Sequence, residues 1–220
     1  MNWLVEVDNY CERLMPGLWA EPLNAVTNFA FMLAALLMLR RARGDALAMA
    51  LVVILFLIGI GSLLFHTFAQ RWAGLADVLP IMIFILVYIY AATAHYLNQR
   101  WWVALGATVL FLPLSGLVSR AIVAVFGPLN GSASYIPVVL MIALYAVFLI
   151  KRSPQTARGL GIGAGILALS LTFRTLDAPL CYAVPFGTHF LWHLLNATML
   201  GWMIHILIAH RQLAPLGRGG

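Results

Sequence analysis

Long apolar runs, separated by short clusters of basic or turn-forming residues, divide the chain into seven segments. Each run approaches the roughly 20 apolar residues that an α-helix needs to cross the hydrocarbon core of a bilayer. The fourth run is the least regular, because Pro113, Ser115, Gly116 and Arg120 interrupt it and a proline can kink a helix. By this pattern we predict membrane spans at about 22–40, 46–68, 77–97, 101–126, 135–150, 159–175 and 187–210.

The composition supports the same interpretation, because 63% of the 220 residues are hydrophobic and only 9% are charged. So few charged residues cannot cover a water-exposed surface of the usual kind. The predicted fold class is an all-α membrane protein, a seven-transmembrane helix bundle. Residues 1–220 form one domain, in which residues 1–20 are an outer segment before the first span. Because this segment carries Glu6, Asp8, Glu12 and Arg13, we expect no cleavable signal peptide.

The basic residues give a net charge of +6, but they fall in short clusters between apolar runs. This distribution argues against nucleic-acid binding and indicates membrane topology instead. With seven spans, the positive-inside rule predicts a cytoplasmic carboxyl terminus and an amino terminus outside the cell or in an organelle lumen. The nine basic residues on the cytoplasmic face would be Arg40, Arg41, Arg43, Arg100, Lys151, Arg152, Arg158, Arg211 and Arg218, against Arg13, Arg71, Arg120 and Arg174 on the other.

Ionisable residues of three predicted spans fall at the same membrane depth. His66 lies near the outer end of the second span, and Asp77 opens the third. His189 and His193 open the seventh span, four residues apart and therefore on one helical face. Ser62 precedes His66 by one helical turn and projects toward the same place. Because ionisable residues inside a membrane are costly and usually functional, this convergence predicts a shared buried site.

Three imidazoles with one coordination position left open are a common ligand set of catalytic zinc. We therefore predict that His66, His189 and His193 bind Zn²⁺, an ion that lowers the pKa of water to about 7 and polarises carbonyl groups. Asp77 would act behind the metal ligands or as a proton acceptor, and the Ser62 hydroxyl would stabilise an oxyanion or hold substrate. The chemistry predicted from these residues is metal-assisted hydrolysis.

Two plainer interpretations remain open at this point. His189 and His193 could form hydrogen bonds between helices without a metal, as polar residues in membrane bundles do. Ser62, together with Gly59 and Gly61, could serve the close packing of two helices, where small residues are common.

Four features of the sequence resemble the alkaline ceramidases: EPLNAVTN at the first span, SLLFH ending at His66, Asp77 eleven residues later, and HFLWH at the last span. That family belongs to a superfamily of seven-helix membrane hydrolases that includes the adiponectin and progestin receptors. The resemblance implies zinc bound by His66, His189 and His193, with Asp77 activating water and Ser62 assisting at the substrate carbonyl. It also implies cleavage of the ceramide amide to a sphingoid base and a fatty acid. We infer no obligatory protein partner; the expected partners are the lipid substrate and the bilayer.

The resemblance further implies a calcium site formed by Asp8, Glu12 and Glu21, whose carboxylates are ligands of the kind that Ca²⁺ takes. DNYCER aligns with the acidic segment of the family only with a shifted residue, and Leu14 stands where the family has a polar ligand. An acidic stretch at the membrane surface without an ion is therefore the alternative.

Cys11 and Cys181 are the two cysteines, and both are predicted on the outer side of the membrane. They could form a disulfide that pins the amino-terminal segment to the mouth of the site, or remain two free thiols. The resemblance favours a bond at Cys11.

Three functions compete on these grounds. The preferred one is a zinc-dependent amidase that ceramide or a related N-acyl lipid enters from the bilayer. A receptor of the adiponectin-receptor type is less favoured, because the sequence offers no soluble domain or long loop to recognise a protein ligand. An ion or solute transporter would use intramembrane His and Asp residues, but the sequence has no internal repeat or paired broken helices.

Overall fold

The computed structural model describes residues 2–15 and 17–213 and contains the predicted helix bundle. Within these residues no named strand is present, and Glu6 and Gln70 form an isolated β-bridge. The all-α fold with seven membrane spans is thereby confirmed; Arg218, counted above for topology, lies outside the described residues. The spans are Pro22–Leu39, Ala46–Phe68, Arg71–Tyr96, Trp101–Phe126, Leu129–Leu149, Pro154–Leu180 and His189–Gln212.

The first span is divided at Asn28 into two helices, so residues 2–15 and 17–213 contain eight α-helices. These are α1 (Pro22–Thr27), α2 (Phe29–Leu39), α3 (Ala46–Phe68), α4 (Arg71–Ala91), α5 (Trp101–Phe126), α6 (Ile136–Leu149), α7 (Pro154–Leu180) and α8 (His189–Leu213). A π-helical turn, Ala92–Tyr96, continues α4, and a 3-10 turn, Leu129–Ser134, precedes α6.

Two of the predicted helices have boundaries that differ clearly from those in the structure. Helix α4 begins at Arg71, six residues before the predicted start, because only Ala69 and Gln70 separate it from α3. Ala69 makes this tight turn with a left-handed backbone, at φ 45°. Helix α7 extends past the predicted range of 159–175 at both ends, so Asp177 lies inside a helix. Pro113 does not interrupt α5, which is continuous over its length.

The bundle buries its helices unequally. Helix α8 is the most buried span, whereas α5 is the least buried, with Ala104 and Phe111 as its only buried side chains. The outer faces of the helices carry exposed leucines, valines and phenylalanines, which match a lipid environment. Helices α3 and α8 therefore provide an interior in which polar side chains are shielded from both water and lipid.

One glycine sets the distance between α3 and α4. A Cβ atom at Gly61 would lie 2.1 Å from the carbonyl oxygen of Ala76, so only glycine allows this approach. The contact brings Ser62 of α3 beside Asp77 of α4.

The amino-terminal segment, residues 2–15 as described, lies across the turn between α3 and α4. Its backbone bonds to that turn through Val7 N to Ala69 O at 2.8 Å and Arg71 N to Val5 O at 3.1 Å. A disulfide joins Cys11 to Cys181, which follows α7. We call this end of the bundle, where α3 ends and α4 and α8 begin, the site end.

Candidate metal centre

Three histidines meet in the interior of the bundle at the site end. His66 comes from the end of α3, and His189 and His193 come from the first two turns of α8. Each histidine exposes only 1% of its surface. The ring centroids of His66 and His189 lie 5.3 Å apart, and each ring lies 4.7 Å from that of His193. Among the described residues, these form the one group of three whose ligand atoms, all within 4.8 Å of one another, could hold a metal ion.

Two of the imidazoles are oriented by hydrogen bonds from the region around α1. His66 Nδ1 donates to Glu21 Oε2 at 2.5 Å, and His193 Nδ1 donates to Thr27 Oγ1 at 2.9 Å. Donation through Nδ1 leaves the lone pair of Nε2 free in both rings, which is how carboxylates and hydroxyls fix a metal-binding tautomer.

The inner nitrogens of the histidines lack hydrogen-bond partners in the described part of the chain. His193 Nε2 and His189 Nδ1 are both buried and unpaired. A buried polar atom left without a partner costs about 1–3 kcal/mol, so a cation between the rings would remove a penalty. A set of three neutral imidazoles is also one that suits zinc, and the residues present therefore fit this metal.

The position of His189 depends on Asp177, a buried carboxylate near the end of α7 that is 1% exposed. Asp177 Oδ1 accepts hydrogen bonds from the backbone nitrogens of Thr188 at 2.7 Å and His189 at 2.9 Å. Its Oδ2 accepts from the backbone nitrogen of Cys11 at 3.1 Å. A Cβ at Gly187 would lie 2.2 Å from Oδ1, and the φ of this residue is +69°, so glycine is required here. Asp177 therefore fixes the first turn of α8 and the amino-terminal segment together.

The amino-terminal segment covers the histidines directly. The ring of Tyr10 stacks on that of His189 with centroids 3.8 Å apart, and lies 5.1 Å from that of His66. The disulfide between Cys11 and Cys181 holds the next residue in place, so the choice left open by the sequence is resolved as a bond.

The two predicted catalytic residues lie at the same end of the bundle. Asp77 is in the second turn of α4, and its Oδ1 is buried without a hydrogen-bond partner in the described chain. Ser62 is 4% exposed and faces Asp77 across the contact made by Gly61. Ser62 lies one turn before His66 on α3. The structure thus brings both residues close to the histidine cluster.

The described residues give no support for the predicted calcium site, because its three acidic residues do not share a free pocket. Asp8 is exposed, and Glu12 accepts hydrogen bonds from the backbone nitrogens of Leu23 at 2.6 Å and Asn24 at 2.8 Å. Burial raises the pKa of Glu12 despite these bonds. Since Ca²⁺ takes six to eight oxygen ligands, this arrangement does not fit it.

Glu21 is engaged with three other side chains, those of Arg13, His66 and, at 3.4 Å from Nδ2 to Oε2, Asn24. Its Oε1 accepts from Arg13 Nε at 2.7 Å, and its Oε2 accepts from His66. Burial alone raises the pKa of the Glu21 carboxyl, but the bonds to His66 and Arg13 outweigh it and lower the pKa below its usual value. Glu21 is therefore an ionised partner of a candidate metal ligand.

An apolar cavity lies between α3, α4, α6, α7 and α8, and its lining reaches Trp192, the residue before His193. Its lining on α8 runs from Trp192 to Met203, about 16 Å at about 1.5 Å per residue. At the end nearer the histidines, the guanidinium of Arg174 lies over the rings of Tyr135 and Trp192, at 5.2 and 5.1 Å from their centroids. The cavity is therefore apolar along its length, with the Arg174 guanidinium near one end.

Sequence reasoning missed four residues that hold the cluster together: Tyr10, Arg13, Thr27 and Asp177. Asp177 had a usable signal, because an acidic residue within an extended apolar helix is costly and marks a site. It was overlooked because the sixth span was predicted to end at 175. The contacts of Tyr10 and Arg13 depend on how the amino-terminal segment folds back, and the contact of Thr27 depends on how α1 packs against α8. No periodicity encodes either arrangement.

Comparison with known proteins identifies the family of the chain. A family model described as Ceramidase matches residues 7–214, which include the histidine cluster, Ser62 and Asp77. No individual curated protein gives a significant match. Because the family match covers most of the chain, the protein belongs to the ceramidase family.

Proposed function

We propose that the protein is a zinc-dependent intramembrane amidase that hydrolyses the N-acyl bond of ceramide or a related N-acyl lipid. Membership of the ceramidase family supports the hydrolysis of ceramide by an amide-cleaving enzyme. The observation that supports zinc binding is the cluster of His66, His189 and His193, three buried imidazoles with converging nitrogens. Bound zinc would lower the pKa of water to about 7 and polarise the amide carbonyl.

The remaining roles follow from where the side chains lie. The unpaired carboxylate oxygen of Asp77 would accept a proton from the attacking water and pass it to the departing amine. The Ser62 hydroxyl, on the neighbouring helix, would donate a hydrogen bond to the carbonyl oxygen as negative charge develops there. Tyr10 and the amino-terminal segment would exclude bulk water, which strengthens these electrostatic interactions.

The apolar cavity would receive one hydrocarbon chain of the substrate. It starts beside Trp192, one residue before His193, and runs along α8 toward the opposite end of the bundle. A chain lying in it would place the amide at its polar end, next to the histidines. Alignment of this kind supplies the orientation that an intramolecular-like reaction needs.

The disulfide between Cys11 and Cys181 supports placing the site end on the non-cytoplasmic side, since disulfides persist in oxidising compartments. This agrees with the topology expected from the basic residues. A fluorescent protein fused to the carboxyl terminus should then fluoresce and resist protease added to intact cells. Digestion of the fusion by protease added outside would show that the carboxyl terminus lies on the outer side instead.

The central test measures bound zinc and fatty-acid release separately. His189→Ala and His193→Ala should each lose both, because they remove ligands. Asp77→Asn should retain much of the zinc and lose turnover, and Ser62→Ala should retain the metal. Wild-type turnover in Ser62→Ala would assign that residue to packing. A zinc-loaded protein that releases no fatty acid from any ceramide or N-acyl lipid would exclude the amidase and favour a receptor or transporter.

A tryptophan at the far end of the cavity tests the chain-binding role. Leu160 lines the cavity on α7, so Leu160→Trp should reduce hydrolysis of long-chain ceramides more than short-chain ones. Ile162 lies on the same helix but is 42% exposed, so Ile162→Trp is the matched control. Equal effects of Leu160→Trp on long and short chains would remove the cavity from the mechanism.

A further inference from the structure

A buried arginine sits where the family resemblance led us to expect calcium. The side chains of Arg13 and Glu21 are 4% and 2% exposed, and Arg13 Nε donates to Glu21 Oε1 at 2.7 Å. Arg13 Nη1 donates more weakly to the carbonyl oxygen of Gly17 at 3.4 Å. A guanidinium stays charged under all physiological conditions, so it supplies a fixed positive charge at this carboxylate.

The other oxygen of Glu21 makes the contact that matters for the metal centre. Glu21 Oε2 accepts from His66 Nδ1 at 2.5 Å, so Arg13, Glu21 and His66 form a continuous chain of charge-assisted hydrogen bonds. A carboxylate behind a metal-binding imidazole fixes its tautomer and ring orientation. Without a cation of its own, the buried carboxylate would carry a large desolvation penalty.

The two buried or half-buried carboxylates in this part of the site have partners without a divalent ion. Glu21 forms an ion pair with the guanidinium of Arg13, and Glu12 accepts hydrogen bonds from two backbone nitrogens. Asp8 is exposed to solvent. Leu14 adds an exposed apolar side chain at the position where a polar ligand was expected. A calcium ion would need several carboxylate and carbonyl oxygens around one point, and the described residues do not gather them.

We propose that Arg13 takes the place of calcium in this protein, holding Glu21 so that Glu21 can position His66, and that the site therefore assembles without Ca²⁺. Arg13 is a positioning residue that acts on the metal centre through Glu21. The inference rests on the proposed function insofar as His66 is a zinc ligand. The disulfide at Cys11, two residues away, anchors the backbone that presents the guanidinium.

The first experiment asks whether the wild-type protein uses calcium at all. Purified protein in buffers freed of calcium by a chelating resin is dialysed against radioactive calcium, and thermal unfolding is followed with and without the ion. We expect no stoichiometric binding at millimolar calcium and no change in Tm. One bound Ca²⁺ per protein together with a rise in Tm would overturn the proposal. These readouts need neither zinc nor substrate.

The second experiment changes the charge at residue 13. Arg13→Gln should lower zinc affinity about 10–100-fold, as expected when the outer partner of a metal ligand is disturbed. Arg13→Lys should recover a large part of this loss, because the positive charge is kept. Arg71→Gln is the matched control, since Arg71 is exposed at the same end of the bundle. Zinc affinity in Arg13→Gln equal to that of Arg71→Gln, or equally weak in Arg13→Gln and Arg13→Lys, would refute a role for the charge.

The two proposals fail in different ways. If the wild-type protein binds no zinc or cleaves no ceramide, the proposed function is lost while the calcium measurements still decide the question of calcium. If the wild-type protein is a zinc amidase but binds calcium and needs it for a high Tm, only the role of Arg13 is lost.

Discussion

Replacing Asp177 with asparagine should weaken both the fold and the metal centre, although the residue contacts no substrate. The carboxylate accepts three backbone hydrogen bonds, from Thr188 and His189 at the start of α8 and from Cys11. An asparagine of the same shape can keep two of these hydrogen bonds, because its amide oxygen can accept from Thr188 and His189. Its NH₂ group would then face the backbone N–H of Cys11, donor against donor.

The expected loss of stability follows from these contacts. A buried donor left unsatisfied costs about 1–3 kcal/mol. Removing a negative charge from a partly buried helix amino terminus costs up to about 2 kcal/mol more. Together these give about 1–5 kcal/mol, or roughly 2–20 °C in Tm at about 2–4 °C per kcal/mol for a chain of this size. Because His189 lies on the released turn, zinc affinity should also fall, by about 10–100-fold.

Asp45 provides the matched control. Its Oδ1 accepts from the backbone nitrogens of Leu47 at 3.1 Å and Ala48 at 3.0 Å, so it caps α3 in the way that Asp177 holds α8, and it also pairs with Arg211. Asp45→Asn should lower the Tm without changing zinc affinity, measured by competition with a chromophoric chelator. If Asp177→Asn loses stability but keeps wild-type zinc affinity, as the control does, the reasoning about His189 is wrong.

Two further substitutions test other contacts. Thr27→Val keeps the side-chain shape but removes the acceptor of His193 Nδ1, so zinc affinity should fall about tenfold; an unchanged affinity in the same chelator competition would contradict this. Gly61→Ala places a Cβ 2.1 Å from the carbonyl of Ala76 and should lower the free energy of unfolding by about 1–3 kcal/mol. Gly106→Ala, in open space on α5, should be neutral or stabilising, and similar losses in the two variants would refute the packing argument.

The parts of the fold that the sequence predicts are those governed by the membrane itself. Span length and apolar composition follow from bilayer thickness, which is why Ala46–Phe68 and Trp101–Phe126 match the predicted ranges closely. His66, Asp77, His189 and His193 were grouped by depth for the same reason: a polar side chain in lipid must find a partner, and only residues at one depth can meet.

The contacts that orient the histidine cluster do not follow from span length or membrane depth. The resemblance to the family implies that Glu21 is a calcium ligand, and a carboxylate is a ligand of the kind that Ca²⁺ takes. Its actual partners, Arg13 and His66, lie in the amino-terminal segment and on α3. Such contacts between distant parts of the chain depend on how a loop folds back over the bundle, and no hydrophobic period reports that.

The cover that Tyr10 and its neighbours place over the histidines has a kinetic consequence. With each imidazole 1% exposed and the segment tied down by Cys11, an ion can enter or leave only when this cover lifts. Release of a bound ion to a chelator should then proceed at the rate at which this segment lifts. The release rate should not depend on the concentration of the chelator. If the histidines bind zinc as proposed, loading should be fastest before the disulfide between Cys11 and Cys181 forms.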